Sequence, residues 1–392
     1  LHHWTQLIDG RTQSFRAIVS DASCPAITVD GVQHQMNVRA GEMPDFPNLV
    51  CEFDTDGSVT SAKVNALSFP VRPERADQIL VIGDTGCRLK DGSPAQACND
   101  PAAWPFATIA ESIAKQEADL AIHVGDYYYR EVGCPDPDIC GDVFGDNWPT
   151  WEADFFAPAQ AMLSAHPFVI VRGNHENCER GWLGYLRYLA AEPVREPLMC
   201  DNYQAPFVVE FDDLLLPVID SSTRDRDVYT WDRLRAMREQ LIDVLPRLDR
   251  ETLLLTHTPL WGYGSKKRDS TDMETLESIQ REAFAHMLPR SVSAVVAGDL
   301  HFAQLVNTPG NPVQITFGNG GVWLYTTPEG HADDLPVGHG VSGDIFGYNP
   351  FGFGLIDRSQ DGLDVVFFDQ DGEAAATCAA PAAVDTCSWD AM

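Results

Sequence analysis

The first 72 residues alternate apolar and polar positions in short runs, for example SFRAIVS at 14–20. Turn-forming residues such as Asp30 and Gly31 separate these runs. Because successive side chains of a strand point to opposite faces, such alternation is typical of antiparallel strands joined by hairpins. We therefore predict a small β-sandwich domain over residues 1–72, followed by a charged, Pro-containing linker that ends near residue 77.

From Gln78 onward, continuous apolar runs replace this alternation. The first strand candidates lie at 78–82, 119–124, 167–172, 214–219, 251–256 and 292–297. Helical segments separate them near 103–118, 150–164, 230–245 and 272–288. After residue 300 the helices stop, and further strand candidates lie at 302–308, 312–318, 351–356 and 363–368. The pattern predicts an α/β fold with strands buried on both faces, in one domain over 77–371, followed by an Ala-rich tail over 372–392.

The charge of the chain restricts its partners. Among 392 residues there are 58 acidic and 27 basic side chains, which gives a formal net charge of −31. Nucleic acids and anionic membrane surfaces attract basic proteins, so this surface would repel both. No apolar run approaches the ~20 residues that cross a bilayer, and we expect no membrane span. A small anionic substrate is compatible with this charge if a local cation binds it.

Ten cysteines form five neighbouring pairs along the sequence: Cys24/Cys51, Cys87/Cys98, Cys134/Cys140, Cys178/Cys200 and Cys378/Cys387. No CxxC occurs, which counts against a zinc ribbon or a thioredoxin-type motif. We expect disulfides, and hence a secreted or periplasmic protein; the alternative is a reduced cytoplasmic protein with buried thiols. The sequence leaves the connectivity open, and nearest-neighbour pairing is the simplest guess. The chain begins at Leu1 without a leader, as expected after removal of a signal peptide.

Five candidate strands end in polar residues of types that bind metals. In chain order these endings are Gly83-Asp84-Thr85-Gly86, Gly125-Asp126-Tyr127-Tyr128-Tyr129, Gly173-Asn174-His175-Glu176, His257-Thr258-Pro259 and Gly298-Asp299-Leu300-His301. Because ligand sites of open α/β sheets form at the carboxyl ends of the strands, we expect these residues to converge. One such ending is ordinary, whereas five together indicate a site. Carboxylate, phenolate, amide and imidazole groups bind Fe, Mn or Zn, and two such ions can clamp a phosphoryl group.

The series GDTG, GDYYY, GNHE, a strand-end His and GDLH resembles the five-block signature of the calcineurin-like metallophosphoesterases. GDxG followed by GDxxY, in place of the commoner GDxH, is similar to the purple acid phosphatase branch, as is an N-terminal β-sandwich. The motifs span residues 83–301. The resemblance implies two mixed β-sheets packed face to face and flanked by helices (αββα), with two metal ions, Fe plus a divalent Mn, Zn or Fe.

The resemblance also implies roles for individual residues. The first metal would be bound by Asp84, Tyr129 and His301, the second by Asn174 and His257, and both by the bridging Asp126. His175 would stabilise the phosphate or protonate the leaving group, while a metal-bound hydroxide attacks phosphorus directly. The candidates for substrate contact are Asn174, His175, Arg130 and Glu176, with Arg180 also near a motif end.

One position departs from the family pattern. The last block normally reads GHxH, and Asp299 stands in place of its first His. Either Asp299 takes over as an oxygen ligand of the second metal, or the second site is weak. A carboxylate ligand would favour Mn, Fe, Mg or Ca over Zn.

The resemblance predicts a metal-dependent phosphoric ester hydrolase that acts on small phosphate esters, with monoesters favoured. A phosphodiesterase or phospholipase-like hydrolase with the same metals is the first alternative. A non-catalytic binding protein with an impaired second metal site is the second. The sequence contains no GxSxG elbow, no Walker A motif and no GxGxxG in a βαβ setting, which counts against a serine hydrolase, an NTPase or a dehydrogenase.

Overall fold

Two large mixed sheets organise the chain. A computed structural model describes residues 1–223, 229–268, 270–276, 278–284, 286–359, 362–380 and 387–389. Within these ranges the first sheet has eleven strands, in the spatial order β25 (Ser388–Trp389), β24 (Ala374–Ala380), β23 (Gly362–Asp369), β22 (Gly352–Ser359), β9 (Gln78–Ile82), β10 (Leu120–His123), β11 (Phe168–Ile170), β1 (His2–Leu7), β2 (Thr12–Val19), β6 (Leu49–Asp56) and β5 (Asn37–Ala40). Because β9, β10 and β11 run parallel, their carboxyl ends meet at one edge.

The second large sheet faces the first. Its strands among the described residues are, in spatial order, β12 (Phe207–Glu210), β13 (Leu215–Val218), β14 (Thr252–Leu255), β17 (Val292–Ala297), β19 (Val313–Phe317), β18 (Ala303–Asn307), β21 (Val341–Tyr348) and β20 (Gly330–Gly338). Strands β13, β14, β17 and β19 are parallel. Two small sheets consist of β4 (Val32–Gln35), β3 (Ala26–Val29), β7 (Ala62–Val64) and β8 (Leu67–Phe69), and of β15 (Tyr263–Gly264) with β16 (Glu274–Thr275).

Helices cover the outer faces of both large sheets. The α-helices are α1 (Phe106–Ile113), α2 (Pro137–Cys140), α3 (Trp148–Trp151), α4 (Gln160–Ala165), α5 (Trp182–Tyr188), α6 (Trp231–Val244) and α7 (Ile279–Phe284). Leu80 of β9 packs with α1, α4 and α5, and Leu254 of β14 packs with α6 and α7. The neighbouring Val81 and Leu253 point the other way, into the core between the sheets. Strands buried on both faces require continuous apolar runs, and the resulting αββα architecture confirms the predicted fold class.

The N-terminal residues form an all-β unit that is continuous with the first large sheet. β1 pairs in parallel with β11, where Gln6 lies opposite Phe168. The sheet of β3, β4, β7 and β8 packs against this N-terminal part through a core that includes Phe15, Ile27 and Val64. The domain boundary at residue 72 stays a prediction, because one sheet extends across it.

Three predicted segments need correction. The helix over 150–164 is divided into α3, a π-helical turn at Glu152–Phe156 and α4; Pro158, which has no N–H to donate, lies between the last two. Of the helix near 272–288 the structure has α7, whereas Glu274–Thr275 is β16, and positions 277 and 285 lie outside the described residues. The Ala-rich tail contributes β24, which pairs with β23, while 381–386 and 390–392 lie outside the described residues.

Disulfides join all ten cysteines. The bridges are Cys24–Cys51, Cys87–Cys98, Cys134–Cys140, Cys178–Cys200 and Cys378–Cys387. This confirms the disulfide prediction and the nearest-neighbour pairing. Cys87–Cys98 lies in the loop after β9, Cys134–Cys140 joins the loop after β10 to α2, and Cys178–Cys200 joins the loop after β11 to the segment beyond α5. Each of these bridges thus has a cysteine in a loop that carries part of the predicted site. No helix among the described residues is both long and apolar enough to cross a bilayer.

Buried arginines connect the N-terminal strands to the end of α5. Arg39 of β5 and Arg16 of β2 donate hydrogen bonds of 2.7–3.2 Å to the carbonyl oxygens of Leu186, Arg187, Tyr188, Ala190 and Glu192. Arg39 also pairs with Glu52 at 2.8 Å. Cations beside the free carbonyls of a helix C-terminus stabilise that end. The N-terminal unit therefore anchors α5, which follows the loop that carries Asn174 and His175.

Replacing Arg39 should destabilise the whole chain. Arg39→Met removes the guanidinium, leaves buried carbonyls without a donor and leaves Glu52 with only the more distant Arg16, at 3.8 Å. We therefore expect the free energy of unfolding in denaturant to fall by about 2–4 kcal/mol. Arg75→Met is the matched control, since Arg75 is exposed and pairs only with acidic side chains; it should cost less than about 1 kcal/mol. Equal losses for the two variants would contradict an anchoring role.

Candidate metal centre

Three aspartates follow the ends of β9, β10 and β17 in an unusual backbone conformation. Asp84, Asp126 and Asp299 have φ angles of +57°, +61° and +64°. This left-handed region is uncommon for residues with a Cβ, although Asp tolerates it better than most. The Asp299 N–H donates to Asp84 Oδ2 at 2.9 Å, and the Asp84 N–H donates to the Gly125 carbonyl at 3.0 Å. The three turns thus hold one another, and they direct three carboxylates to one place.

Glycines at the strand ends, Gly125 before Asp126 and Gly173 before Asn174, allow the loops to approach one another closely. A Cβ on Gly173 would lie 2.1 Å from the Asp126 nitrogen, and a Cβ on Gly125 would lie 2.6 Å from His257 Nδ1. No side chain fits at either position without moving the loops. The glycines at these strand ends are therefore required by the packing of the site itself.

The first group of ligand candidates surrounds the Tyr129 hydroxyl. This hydroxyl donates to Asp126 Oδ2 at 2.6 Å and lies 3.0 Å from Asp84 Oδ1 and 3.3 Å from His301 Nε2. All four side chains are buried. Burial, together with the charges of Asp126 and Asp84, raises the pKa of the Tyr129 phenol well above its usual value. Ionisation of this phenol is therefore unfavourable unless a cation binds between the phenol oxygen and the two carboxylates.

The second group lies on the other side of Asp126. His257 Nε2 is 3.3 Å from Asp126 Oδ1 and 3.9 Å from Asp299 Oδ1. Asn174 Nδ2 donates to Asp299 Oδ1 at 3.1 Å. The two carboxylate oxygens of Asp126 thus face different groups, with Oδ2 toward Tyr129 and Oδ1 toward His257.

The hydrogen bonds of the two histidines leave one nitrogen of each ring facing the carboxylates. His257 Nδ1 donates to the Val124 carbonyl at 2.7 Å, and His301 Nδ1 donates to the Trp323 carbonyl at 3.1 Å. His257 Nε2 is buried and has no hydrogen-bond partner among the described residues. Ligand atoms of Asp84, Asp126 and His257 lie within 4.8 Å of one another. A bound cation would satisfy this nitrogen and the buried carboxylates together, so the donor set fits a metal.

His175 lies beside both groups. Its ring is 3.9 Å from the Tyr129 ring, between centroids, and its Nε2 is 4.0 Å from Asp126 Oδ2. Its Nδ1 lies 2.7 Å from Glu131 Oε1, and Arg180 contacts the same oxygen at 3.1 Å. Burial and the Arg180 charge lower the pKa of His175 to about 4, although Asp126 and Glu131 act in the opposite direction. Glu131 orients the ring so that Nε2 faces the cluster.

Arg130 and Glu176, both predicted to contact substrate, are placed in the interior instead. Arg130 donates to Asp154 Oδ1 at 3.0 Å and to the Cys140 carbonyl at 2.7 Å. Glu176 is fully buried and accepts four backbone N–H bonds of 2.9–3.1 Å, from Gly173, Asp126, Tyr127 and Tyr128. These contacts correct the sequence interpretation, because both side chains are committed to holding the loops. The other predicted site residues lie at the cluster.

Sequence reasoning missed Asp154, which supports the first group from behind. Asp154 Oδ2 accepts the Tyr129 N–H at 2.7 Å, and Oδ1 accepts the Cys87 N–H at 2.9 Å as well as Arg130. Asp154 lies in the π-helical turn, far in sequence from every motif. It was not identifiable from a strand-end pattern, because its role depends on how the helical layer packs against the loops.

These observations define a candidate metal centre: buried oxygen and nitrogen donors at the carboxyl ends of strands, in two facing mixed sheets flanked by helices. The profile of the calcineurin-like phosphoesterase family matches residues 78–319. The matched range covers more than half of the chain and includes both ligand groups. The chain belongs to the calcineurin-like phosphoesterase family, and the family implies a dinuclear metal site.

Solved structures show the same fold over the whole chain. The purple acid phosphatase PPD1 from seeds of yellow lupin (Lupinus luteus) is 14% identical with a TM-score of 0.61, over 99% of this chain and 77% of that chain. PhoD is 12% identical with a TM-score of 0.59, over 100% of this chain and 91% of that chain. No curated protein sequence matches significantly. The N-terminal β unit is thus part of the shared fold.

Asp154→Asn should loosen the metal centre. The variant loses a buried partner of Arg130 and turns an N–H toward donors at Cys87 or Tyr129, so we expect a loss of about 3 kcal/mol in unfolding free energy and weaker metal retention. The control is Asp146→Asn, since Asp146 is half-buried and also accepts N–H bonds, but from Trp151, Leu183 and Gly184. Metal content after dialysis against a weak chelator, measured by emission spectrometry, should fall for Asp154→Asn and hold for Asp146→Asn. Equal retention would contradict this role.

Proposed function

We propose that this protein is a binuclear phosphoesterase of the purple acid phosphatase-like branch, acting on small phosphate monoesters. The geometry around Asp126 is the observation that supports this proposal. Its Oδ2 is 2.6 Å from the Tyr129 hydroxyl and its Oδ1 is 3.3 Å from His257 Nε2. One carboxylate placed between two ligand groups is suited to bridge two cations.

The first metal would be held by Asp84, Tyr129 and His301, and the second by Asn174, His257 and Asp299, with Asp126 shared. When bound, the metals would supply polarisation of phosphoryl oxygens and an acidified water molecule as the nucleophile. His175 Nε2 faces the cluster and would hydrogen-bond a phosphoryl or leaving-group oxygen. Glu131, at 2.7 Å from Nδ1, would stabilise the imidazolium that forms when His175 holds a proton.

The compartment and metals are part of the same proposal. Five disulfides support a secreted or periplasmic location, because such bridges persist in oxidising surroundings. A tyrosine oxygen among the first ligands favours ferric iron there. The carboxylate of Asp299 favours a divalent ion that prefers oxygen, such as Mn or Fe, at the second position.

Steady-state assays test the proposed reaction. We expect the metal-loaded protein to hydrolyse a nitrophenyl monoester with a higher kcat/KM than a bis-nitrophenyl diester. A preference for the diester would support the phosphodiesterase alternative. Two bound metals without turnover of either ester would indicate a binding protein.

Tyr129→Phe should remove the colour of the iron-loaded protein. A phenolate bound to ferric iron absorbs visible light by charge transfer, and the variant lacks that oxygen. Tyr127→Phe is the control, because Tyr127 is buried nearby but donates to the Val171 carbonyl at 2.8 Å. We expect a visible band in the wild type and in Tyr127→Phe, and no band in Tyr129→Phe. A band of unchanged strength in Tyr129→Phe would exclude Tyr129 as an iron ligand.

His175→Ala should slow turnover by about 10²–10⁴ with unchanged metal content, the range for a positioned acid–base group. The loss should be larger for an alkyl ester than for a nitrophenyl ester, because an alkoxide needs a proton more. Steady-state rates of the variant and the wild type with both esters distinguish protonation of the leaving group from orientation of the substrate. Equal slowing would mean that His175 orients the substrate and does not protonate the leaving group.

Asp299→His should increase the affinity of the second site for its metal and shift the preference of that site toward Zn, because imidazole suits Zn better than a carboxylate does. Asp299→Asn, which keeps the shape of the side chain and removes its charge, should weaken the binding of the same metal. Competition between Zn and Mn, followed by metal analysis, measures the shift. If neither variant changes affinity or preference, Asp299 is not a ligand.

A further inference from the structure

Arg88 differs from every other buried arginine in the described part of the chain. Six of them, Arg16, Arg39, Arg130, Arg172, Arg187 and Arg358, donate side-chain hydrogen bonds to carbonyl or carboxylate oxygens. Arg88 is 9% exposed, yet none of its side-chain N–H groups donates to any described residue, and no described carboxylate lies within 4.0 Å. The Nε atoms of Arg88, Arg187 and Arg358 are all buried without a partner, but Arg187 and Arg358 donate through their terminal nitrogens.

Arg88 has little contact with water and no counter-ion among the described residues, so the protein itself compensates its charge poorly. This is unexpected in a chain with a net charge of −31, where acidic partners are abundant. A positive charge kept free of protein partners is available to an anion that binds from outside.

Arg88 lies next to the candidate metal centre, so an anion that binds there could contact Arg88 as well. Arg88 follows the Asp84 loop, and its Cζ lies 5.8 Å from the centre of the Tyr129 ring and 5.4 Å from that of the Trp323 ring. The Tyr129 hydroxyl contacts Asp126 and Asp84, and the Trp323 carbonyl accepts from His301. Arg88 therefore lies beside the first ligand group, and two aromatic rings fix its side chain there.

We propose that Arg88 binds phosphoryl oxygens of the substrate and so selects the dianion of a phosphate monoester over a diester. This inference rests on the proposed phosphoesterase function and names its substrate class more closely. The planar guanidinium matches two oxygens of a phosphate, as Arg often does. A phosphate monoester has one more charged oxygen than a diester, so the Arg88 cation should strengthen monoester binding more than diester binding. Arg130, the arginine that the motifs suggested, is paired with Asp154 and is not available for this role.

Binding of inorganic phosphate to the metal-loaded protein, measured by calorimetry, tests the proposal. Arg88→Met should weaken phosphate binding about 10–100-fold, the effect of losing charge-assisted hydrogen bonds. Metal content should stay the same. The kcat/KM for the nitrophenyl monoester should fall by a similar factor, and that for the diester should fall less. The matched control is Arg72→Met, because Arg72 also lies over an aromatic ring, 4.5 Å from the centre of Phe211, but away from the cluster; its phosphate binding should match the wild type.

Several results would overturn the proposal: unchanged phosphate affinity in Arg88→Met, equal losses for monoester and diester, or a loss of bound metal that accounts for the weaker binding. If Arg88→Met does not fold, Arg88→Lys decides, since it keeps the charge but loses the planar fork. It should weaken phosphate binding several-fold at an unchanged melting temperature, and wild-type affinity would refute the role. If the metal-loaded wild type hydrolyses neither ester, the proposed function fails. If the wild type turns over and the Arg88 variants behave like it, the role of Arg88 is refuted while the proposed phosphoesterase function stands.

Discussion

Repulsion among three buried carboxylates is the constraint on which this structure depends. Asp84, Asp126 and Asp299 converge with almost no exposure to water, and burial raises the pKa of Asp84 well above its usual value. His257 offsets part of this charge: although burial acts in the opposite direction, Asp126 and Asp84 raise the pKa of His257 well above its usual value. Burial lowers the pKa of His301 well below its usual value, so His301 offers little compensation. Bound cations would relieve the remaining repulsion directly, so the cluster fits the dinuclear metal site that the family implies.

The rest of the chain holds these carboxylates in place. The two sheets supply five loops at one edge, and disulfides tether the loops after β9, β10 and β11. Asp154 and Glu176 fix the backbones of these loops by accepting N–H bonds. The N-terminal strands act at a longer distance, since Arg39 holds the end of α5. A preorganised site of this kind loses little energy to rearrangement when a ligand binds.

The sequence was sufficient to predict what depends on local pattern. Strands such as 78–82 and 292–297 are continuous apolar runs between breakers, and the residues that end them were found because each follows its strand directly. The failures depend on tertiary contacts. β24 is built of alanines, which have little strand preference, and forms because β23 pairs with it. Arg130 and Glu176 stand beside candidate ligands in sequence, yet their partners, Asp154 and four backbone N–H groups, are visible only in the folded chain.

Anomalous X-ray diffraction from crystals of the metal-loaded protein would test the binuclear centre most directly. We predict two anomalous peaks per chain, each about 2.0–2.2 Å from one oxygen of Asp126. The first peak should lie against Tyr129 and His301, and the second against His257 and Asp299. A single peak, or peaks bound by other residues, would contradict the assignment of Asp126 as the bridge.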